Sequence, residues 1–118
     1  MVRKILLVVK SPPYGSVRAA EGLRIATAMI AIDVLPKVLF VDDGVYCLLK
    51  NQKPEAAGLA SFGERLKTLA DLIGLYAVSD SIRQRKLKQS DFENYKVKTL
   101  SIDEAAGLVS QNETIITF

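Results

Sequence analysis

The sequence contains no histidine and no tryptophan, and its only cysteine is Cys47. Without histidine, neither a Ser-His-Asp triad nor a Cys-His pair can form, and a zinc site would lack its usual nitrogen ligand. One cysteine cannot close a disulfide within the chain, which is typical of a protein from a reducing compartment. Acid–base chemistry is left to Asp, Glu, Lys, Tyr and the thiol. We expect no metal site and no cofactor.

Long apolar runs are also absent. The run Ile5–Val9 is too short for the core of a signal peptide, and no stretch approaches the ~20 apolar residues that span a bilayer. The chain has 118 residues, of which 49% are hydrophobic and 25% are charged, and this composition suits one folded domain over residues 1–118. We therefore expect a soluble, cytoplasmic, single-domain protein that has no contact with a membrane.

Positive charge is too weak to require a nucleic-acid partner, because the net charge is only +3. The basic run at 83–88 could face phosphates, but no aromatic side chains are interleaved with it. Cations also collect at a helix C-terminus because the helix dipole stabilises them there. Direct binding of nucleic acid is not expected.

Short aliphatic runs alternate with helical patterns along the chain. Strands are predicted over 5–9, 38–41, 75–78, 97–100 and 114–118. The fourth is expected at an edge of the sheet because Lys96 and Lys98 flank or lie within it. This order predicts an α/β protein, a three-layer α/β/α sandwich with a five-stranded, mostly parallel, flavodoxin-like sheet.

Helix signals fall between these strands. The first predicted helix covers 17–31 with Ser16 as N-cap, and a short helix around Cys47 is capped by Asp43. A third helix has an apolar face over 59–73 and is closed by Gly74. A basic helix over 81–88 is capped by Ser79 or Asp80, and the last helix covers 101–109 with a capping box between Ser101 and Glu104.

The first predicted helix is unusually apolar at its end. Residues 26–32 read ATAMIAI, in which only Thr27 is polar, whereas a surface helix should keep a polar face. Either this helix is deeply buried in its own domain or a second subunit covers it. The candidate interface residues are Ala28, Met29, Ile30 and Ile32, together with Tyr46.

The loops after the first three strands are expected to lie together, because ligands of open parallel sheets bind at the carboxyl ends of the strands. The loop SPPYGS precedes a helix N-terminus, which favours an anion, but it lacks the glycine-rich nucleotide motifs. Turns and helix caps are the alternative explanation for these polar residues. The candidate binding residues are Tyr14, Gly15, Ser16, Asp43, Ser79 and Asp80.

Cys47 has two interpretations. Lys50 and the nearby helix N-terminus lower the pKa of the thiol, whereas Asp42 and Asp43 raise it. Cys47 is then either a small buried apolar residue or a catalytic thiol that carries sulfur.

Five short motifs occur in the order found in the DsrE/DsrF sulfur-relay family, and the chain resembles the TusC/DsrF branch of that family. The motifs are PYGS followed by EGL at 21–23, DGVY at 43–46 with LL two residues on, QKP at 52–54, LIGLY at 72–76 and SIRQRKL at 81–87. The resemblance extends over almost the whole chain.

This resemblance implies the DsrE-like fold, an oligomer, and transfer of sulfur as a persulfide toward tRNA thiolation or sulfur oxidation. The oligomer would be a homo-oligomer (dimer, trimer or hexamer) or a hetero-hexamer with DsrE-like and DsrH-like chains. The sulfur-carrying cysteine of the family follows the third strand, where this chain has Val78 or, one residue on, Ser79. The sequence therefore indicates a non-catalytic subunit. A persulfide carrier using Cys47 and a module that binds anions or nucleotides are the alternatives.

Overall fold

A computed structural model of the chain describes residues 4–13, 17–49, 62–88 and 96–118. The five strands are β1 (Ile5–Val9), β2 (Lys37–Phe40), β3 (Leu75–Val78), β4 (Val97–Leu100) and β5 (Thr114–Thr117). The α-helices are α1 (Arg18–Ala31), α2 (Phe62–Ala70), α3 (Ser79–Gln84) and α4 (Ile102–Ser110), and a 3₁₀ helix runs over Asp42–Leu48.

The strands form one sheet in the order β4-β3-β2-β1-β5, and every neighbouring pair is parallel. This confirms the predicted α/β sandwich with a parallel sheet and the edge position of the fourth strand. Strands β1 to β4 are added in one direction, and β5 then pairs with the opposite side of β1. The sheet is therefore doubly wound, with its switch point between β1 and β5 rather than at the β1/β3 position of flavodoxin.

The first face of the sheet is covered by α1 and α2, with the 3₁₀ helix and α3 toward the carboxyl ends of the strands. Side chains alternate along each strand, so that Leu7 and Val9 of β1 point to this face while Leu6 points to the other. The buried core on this face consists of Leu7, Val9, Ala19, Leu23, Ala26, Val38, Phe40, Val45, Cys47, Leu48, Leu66, Leu69, Ile73, Leu75 and Ala77.

The second face has less cover. Among the described residues, α4 is the only helix that packs on it, through Ala105 and Leu108. These two side chains bury Leu6, Leu39 and Leu100 of the sheet. Among the described residues, the buried core on the first face is thus larger than the core on the second face.

Several helix boundaries differ from the sequence prediction. α3 begins directly at Ser79 and its N-cap residue is Val78, so that neither Ser79 nor Asp80 is the cap. No turn separates β3 from this helix, because the backbone passes from strand to helix between Val78 and Ser79. The 3₁₀ helix likewise begins after Val41, and no side chain caps it, so the predicted capping role of Asp43 is wrong.

The ends of other elements also differ from the sequence prediction. α1 begins one residue later than predicted and its N-cap residue is Val17, while Ser16 lies outside the described residues. β2 begins and ends one residue earlier than predicted. α3 ends at Gln84 and Lys86 takes a left-handed φ of 55°, so the basic run does not form one helix to residue 88.

Of two further predictions about helix ends, one is confirmed and the other is not. The capping box is confirmed, with the Glu104 amide donating to Ser101 Oγ and the Ser101 amide donating to the Glu104 carboxylate. α2 ends at Ala70, so Gly74 lies beyond its C-terminus and instead precedes β3. A Cβ at Gly74 would lie 2.9 Å from the Tyr76 ring, and this ring contact accounts for the glycine. Within the described residues, no helix combines the length and the apolarity needed to cross a bilayer.

Candidate functional site

The segments that follow β1, β2 and β3 meet at the carboxyl edge of the sheet, as the sequence predicts. The Val41 amide donates to the Val9 carbonyl at 3.0 Å, which joins the ends of β2 and β1. The Asp42 amide donates to Ser81 Oγ at 3.0 Å, which joins the end of β2 to α3. These contacts place the 3₁₀ helix between the end of β1 and the start of α3.

The 3₁₀ helix begins with an unusual backbone. Asp42 has a φ of 53°, in the left-handed region that non-glycine residues rarely occupy. Two residues on, a Cβ at Gly44 would lie 1.9 Å from the Val9 carbonyl oxygen, so that any side chain would collide with the end of β1. Gly44 therefore allows the 3₁₀ helix to press directly against the sheet edge.

Asp43, a predicted binding residue, is engaged with Arg85. The Arg85 Nε and Nη2 atoms each lie 3.0 Å from Asp43 Oδ1. The Nη1 atom of Arg85 donates to the Ser81 carbonyl at 3.2 Å. The Arg85 side chain is 19% exposed and that of Asp43 is 55% exposed, so the pair lies at the boundary between protein and solvent. Arg85 thus ties the 3₁₀ helix to α3.

Of the other predicted binding residues, the structure describes Ser79 and Asp80, and both lie in α3. Ser79 is half-buried in the first turn of α3, and Asp80 forms an ion pair with Arg83 one turn later. Tyr14, Gly15 and Ser16 lie outside the described residues. The structure therefore brings Asp43 close to α3, while Asp80 pairs with an arginine of its own helix.

Sequence reasoning missed two residues that organise this edge. Ser81 is buried and accepts the Asp42 amide, and Arg85 joins Asp43 to the Ser81 carbonyl. The only sequence signal for Arg85 was its place in a basic run, which suggested a phosphate partner or a helix dipole. A pairing with Asp43 across 42 residues of sequence leaves no local pattern.

Cys47 is buried in the core on the first face of the sheet. Its side chain is 0% exposed and lies among the apolar residues of the core on the first face. The Sγ atom contacts the Ser11 carbonyl at 3.8 Å. Loss of solvation on burial raises the pKa of the Cys47 thiol to about 12, only partly opposed by a backbone hydrogen bond. The sulfur is therefore protonated at neutral pH and is out of reach of a solvent-borne partner.

The position directly after β3 carries no thiol. Val78, the last residue of β3, is buried in the second core, and Ser79 opens α3. Phe118 follows β5 and lies at the switch point between β1 and β5. Its ring atoms lie 3.1 Å from the position of a Cβ on Gly22 in α1, and its amide donates to the Val8 carbonyl. Phe118 therefore packs against α1 beside the carboxyl end of β1.

The predicted interface residues divide between the two sides of α1. Met29 and Ile30 are half-buried and pack against the first core, so the domain itself accounts for them. Ala28 is exposed, and Ile32, just past the helix, is 73% exposed. Tyr46 is half-buried in the 3₁₀ helix.

A shallow groove runs between α1 and α2 on their outer side. It has a volume of about 520 Å³ and is lined by Arg24, Thr27, Ala28, Ala31 and Thr68. The exposed side chains of Leu35 and Leu72 lie in the loops before β2 and β3. A hydrogen bond of 3.0 Å from the Val38 amide to the Gly74 carbonyl holds the ends of these loops together. We call the groove, with Ile32, Leu35 and Leu72, the α1 surface.

Comparison with known proteins places this geometry in a family. A profile described as the DsrE/DsrF-like family matches residues 3–118. The chain is 31% identical over 106 residues to the intracellular sulfur oxidation protein DsrF of Allochromatium vinosum, which covers 88% of this chain and 78% of that protein. It is 30% identical over 111 residues to a TusC homolog of Vibrio parahaemolyticus, which covers 92% and 93% of the two chains.

Solved structures show the same fold. The ychN protein of E. coli superposes with a TM-score of 0.81 at 21% identity, over 99% of this chain and 100% of that one. A protein of unknown function from Methanobacterium thermoautotrophicum superposes with a TM-score of 0.75 at 13% identity, over 100% of both chains. At these identities the likeness concerns the arrangement of strands and helices.

Proposed function

Because the chain belongs to the DsrE/DsrF-like family, we propose that it is a non-catalytic, TusC/DsrF-like subunit of an oligomeric, intracellular sulfur-relay complex. The observation that carries this proposal is the burial of Cys47, the only cysteine in the sequence. Names of relatives support the pathway class, since one is described as an intracellular sulfur oxidation protein and another as a TusC homolog.

Sulfur transfer through a cysteine needs a thiolate that a donor can reach. With a pKa of about 12, the Cys47 thiol would be ionised in roughly one molecule in 10⁵ at pH 7. Cys47 also lies on the buried side of the 3₁₀ helix, and the Asp43–Arg85 pair, the close contact of Gly44 with Val9 and the Asp42 amide hold that helix in place. Loading Cys47 with sulfur would require this helix to leave its place.

The alternative of a persulfide carrier is therefore disfavoured, because the Cys47 thiol is buried and is almost entirely protonated at neutral pH. The other alternative, an anion- or nucleotide-binding module, has little support among the described residues, because the carboxylates of Asp43 and Asp80 face arginines of the chain itself. A thermal-shift series with nucleotides and inorganic anions distinguishes it, since a ligand that binds the folded chain raises the melting temperature.

The α1 surface supports the assembly part of the proposal. Apolar side chains that remain exposed together are typical of interfaces between subunits. The alanines of the groove leave room for side chains of a neighbour, while Ile32, Leu35 and Leu72 supply apolar area beside it. We propose that another subunit of the same fold covers this surface, either a DsrE-like or DsrH-like chain in a hetero-hexamer or a further copy of this chain in a homo-oligomer.

The test is transfer of sulfur by the assembled complex, reconstituted with sister chains from the same genome. Replacement Cys47→Ala in this subunit should leave the transfer rate unchanged, provided that light scattering shows an intact complex. Replacement Ile32→Lys should weaken assembly, whereas Gln84→Lys, which adds the same charge at an exposed position of α3, should not. Loss of transfer on Cys47→Ala in an intact complex would assign the chemistry to this chain.

A further inference from the structure

One corner of the second sheet face is left open by the helix that packs there. α4 follows the carboxyl end of β4 and leads to the amino end of β5 at the other edge, so it crosses the face diagonally. Among the described residues it is the only helix on this face. The amino ends of β2, β3 and β4 therefore lie to one side of its path. We call them the amino corner of the second face.

Tyr76 places a phenol hydroxyl at the amino corner. Its side chain is half-buried and packs against the second core. The ring folds back along β3, because a Cβ on Gly74 would lie 2.9 Å from Tyr76 Cε2 and 3.0 Å from the hydroxyl oxygen. The hydroxyl thus lies above Gly74, where the lack of a side chain leaves room for it.

Two lysines flank this hydroxyl in the strand register. Lys37 begins β2 and is level with Gly74, one residue before the first pair between β2 and β3, at a strand spacing of ~4.8 Å. Lys98 of β4 pairs with Tyr76 on the other side. Both lysines lie on the face of Tyr76, since each stands two residues before a strand residue of the second core.

Neither Lys37 nor the Tyr76 hydroxyl has a hydrogen bond or an ion pair within the part of the chain that the structure describes. Both side chains are half-buried, so each has lost part of its contact with water. An ammonium group offers three donors and a phenol one, and donors in such places are ordinarily satisfied by water or by a bound group. What the amino corner lacks is therefore an acceptor.

The other charges at the amino corner are partly engaged. Lys96 forms an ion pair with Asp71 at 3.5 Å. Lys98 acts on the Glu104 carboxylate in the first turn of α4, so its charge is shared. An anion at the amino corner would gain most from the two unpartnered donors and less from Lys98.

We propose that the amino corner binds a doubly charged oxyanion of the size of phosphate or sulfate. Lys37 Nζ and the Tyr76 hydroxyl donate to its oxygen atoms, and Lys98 adds positive charge from β4. Hydrogen bonds to an ionised acceptor are roughly twice as strong as neutral ones, and a tetrahedral oxyanion accepts from several directions. The anion is either free in solution or the phosphate group of a larger molecule. This site does not depend on the proposed function.

The test is an NMR titration of the isotope-labelled full chain with sodium phosphate, with sodium chloride at matched ionic strength as the reference. The amide signals of Lys37 and of Gly74–Tyr76 should shift and reach saturation. Lys37→Gln should raise the dissociation constant about tenfold, and Tyr76→Phe about threefold. Lys67→Gln removes the same charge from an exposed position of α2, on the first face, and should leave the dissociation constant unchanged.

A variant that changes no charge checks the geometry. Gly74→Ala would place a Cβ 3.0 Å from the Tyr76 hydroxyl oxygen, so the hydroxyl must move. This variant should weaken phosphate binding about as much as Tyr76→Phe does.

Titrations with sodium sulfate and with adenosine monophosphate distinguish the two sources. Phosphate and sulfate that bind as tightly as the nucleotide indicate a free anion, whereas tighter binding of the nucleotide, weakened by Lys37→Gln, indicates the phosphate group of a larger molecule. Signal shifts no larger than those in sodium chloride, or a dissociation constant that Lys67→Gln raises as much as Lys37→Gln, would overturn the inference. Both of these results would leave the proposed sulfur-relay role intact.

Discussion

At the scale of single residues, the burial of Cys47 makes stability depend on pH in a defined window. The unfolded thiol loses its proton near its ordinary pKa of 9.0, whereas the folded thiol keeps it up to a pKa of about 12. Between these values the folded state binds more protons than the unfolded state, so stability falls as pH rises. Below pH 9.0 the contribution of the thiol is fully present.

Comparison with Cys47→Ala isolates this contribution, because the titrations of lysine and tyrosine are common to both chains. Urea unfolding should show the advantage of the native chain over Cys47→Ala shrinking by about 2 kcal/mol between about pH 8 and about pH 10.5. Parallel stability curves over that window would show that the Cys47 thiol titrates as if it were in water.

Gly44 gives a second prediction at this scale. Gly44→Ala would force a Cβ to within 1.9 Å of the Val9 carbonyl oxygen, so either the 3₁₀ helix or the end of β1 must move. We expect a loss of about 3 kcal/mol or more in the free energy of unfolding, as for an overpacked core.

Gly107→Ala in α4 is the matched control. Its new methyl group would meet nothing within 4 Å, and alanine should stabilise the helix by about 0.5–1 kcal/mol. Denaturant titration measures both variants. Equal effects of the two substitutions would show that Gly44 does not sit against the sheet edge.

At the scale of elements, the 3₁₀ helix is held to α3 by a contact that can be removed without touching the core. Arg85→Gln deletes the ion pair with Asp43, which contributes about 1 kcal/mol after allowance for its partial exposure. If the 3₁₀ helix opens as a local unit, alkylation of Cys47 in the folded chain should become about fivefold faster.

Arg83→Gln supplies the control, because it removes an ion pair with Asp80 that lies within α3 and does not reach the 3₁₀ helix. It should leave the alkylation rate unchanged. A labelling rate that changes equally in both variants, or follows only global unfolding, would mean that the 3₁₀ helix does not open separately.

The local sequence patterns predicted which strands and helices form more accurately than they predicted where these elements begin and end. β1, β3 and β4 lie where the aliphatic runs predicted them, since buried parallel strands need continuous apolar sequence. The start of α3 was misplaced because Ser79 and Asp80 are favourable caps by type, whereas the backbone turns from strand to helix one residue earlier, at Val78. Residue type alone does not report this geometry.

At the scale of the whole molecule, the candidate site was predictable in position but not in its internal pairing. The rule that loops meet at the carboxyl ends of parallel strands correctly brought Ser11, Asp42 and Ser81 together. The Asp43–Arg85 pair was not predictable, because it depends on how two elements pack. The apolar end of α1 likewise divided between the core and the surface, since Met29 faces inward and Ile32 outward.

Among the described residues, exposed apolar side chains occur on the α1 surface and also on the side of the sheet that α4 covers, at Ile102, Val109 and Ile115. Apolar side chains that remain exposed together are typical of interfaces between subunits, and this is the physical basis of the proposed assembly. Under the proposed function, a subunit of this kind contributes surfaces to an assembly, while the chemistry takes place on a chain that has an accessible thiol.

The most direct measurement is the intact mass of the native chain after incubation with a persulfide donor. We expect no added sulfur on the folded chain and ready modification of Cys47 once urea has unfolded it, because burial alone protects the thiol. Gain of one sulfur atom by the folded chain, lost in Cys47→Ala, would contradict the account and make this subunit a carrier.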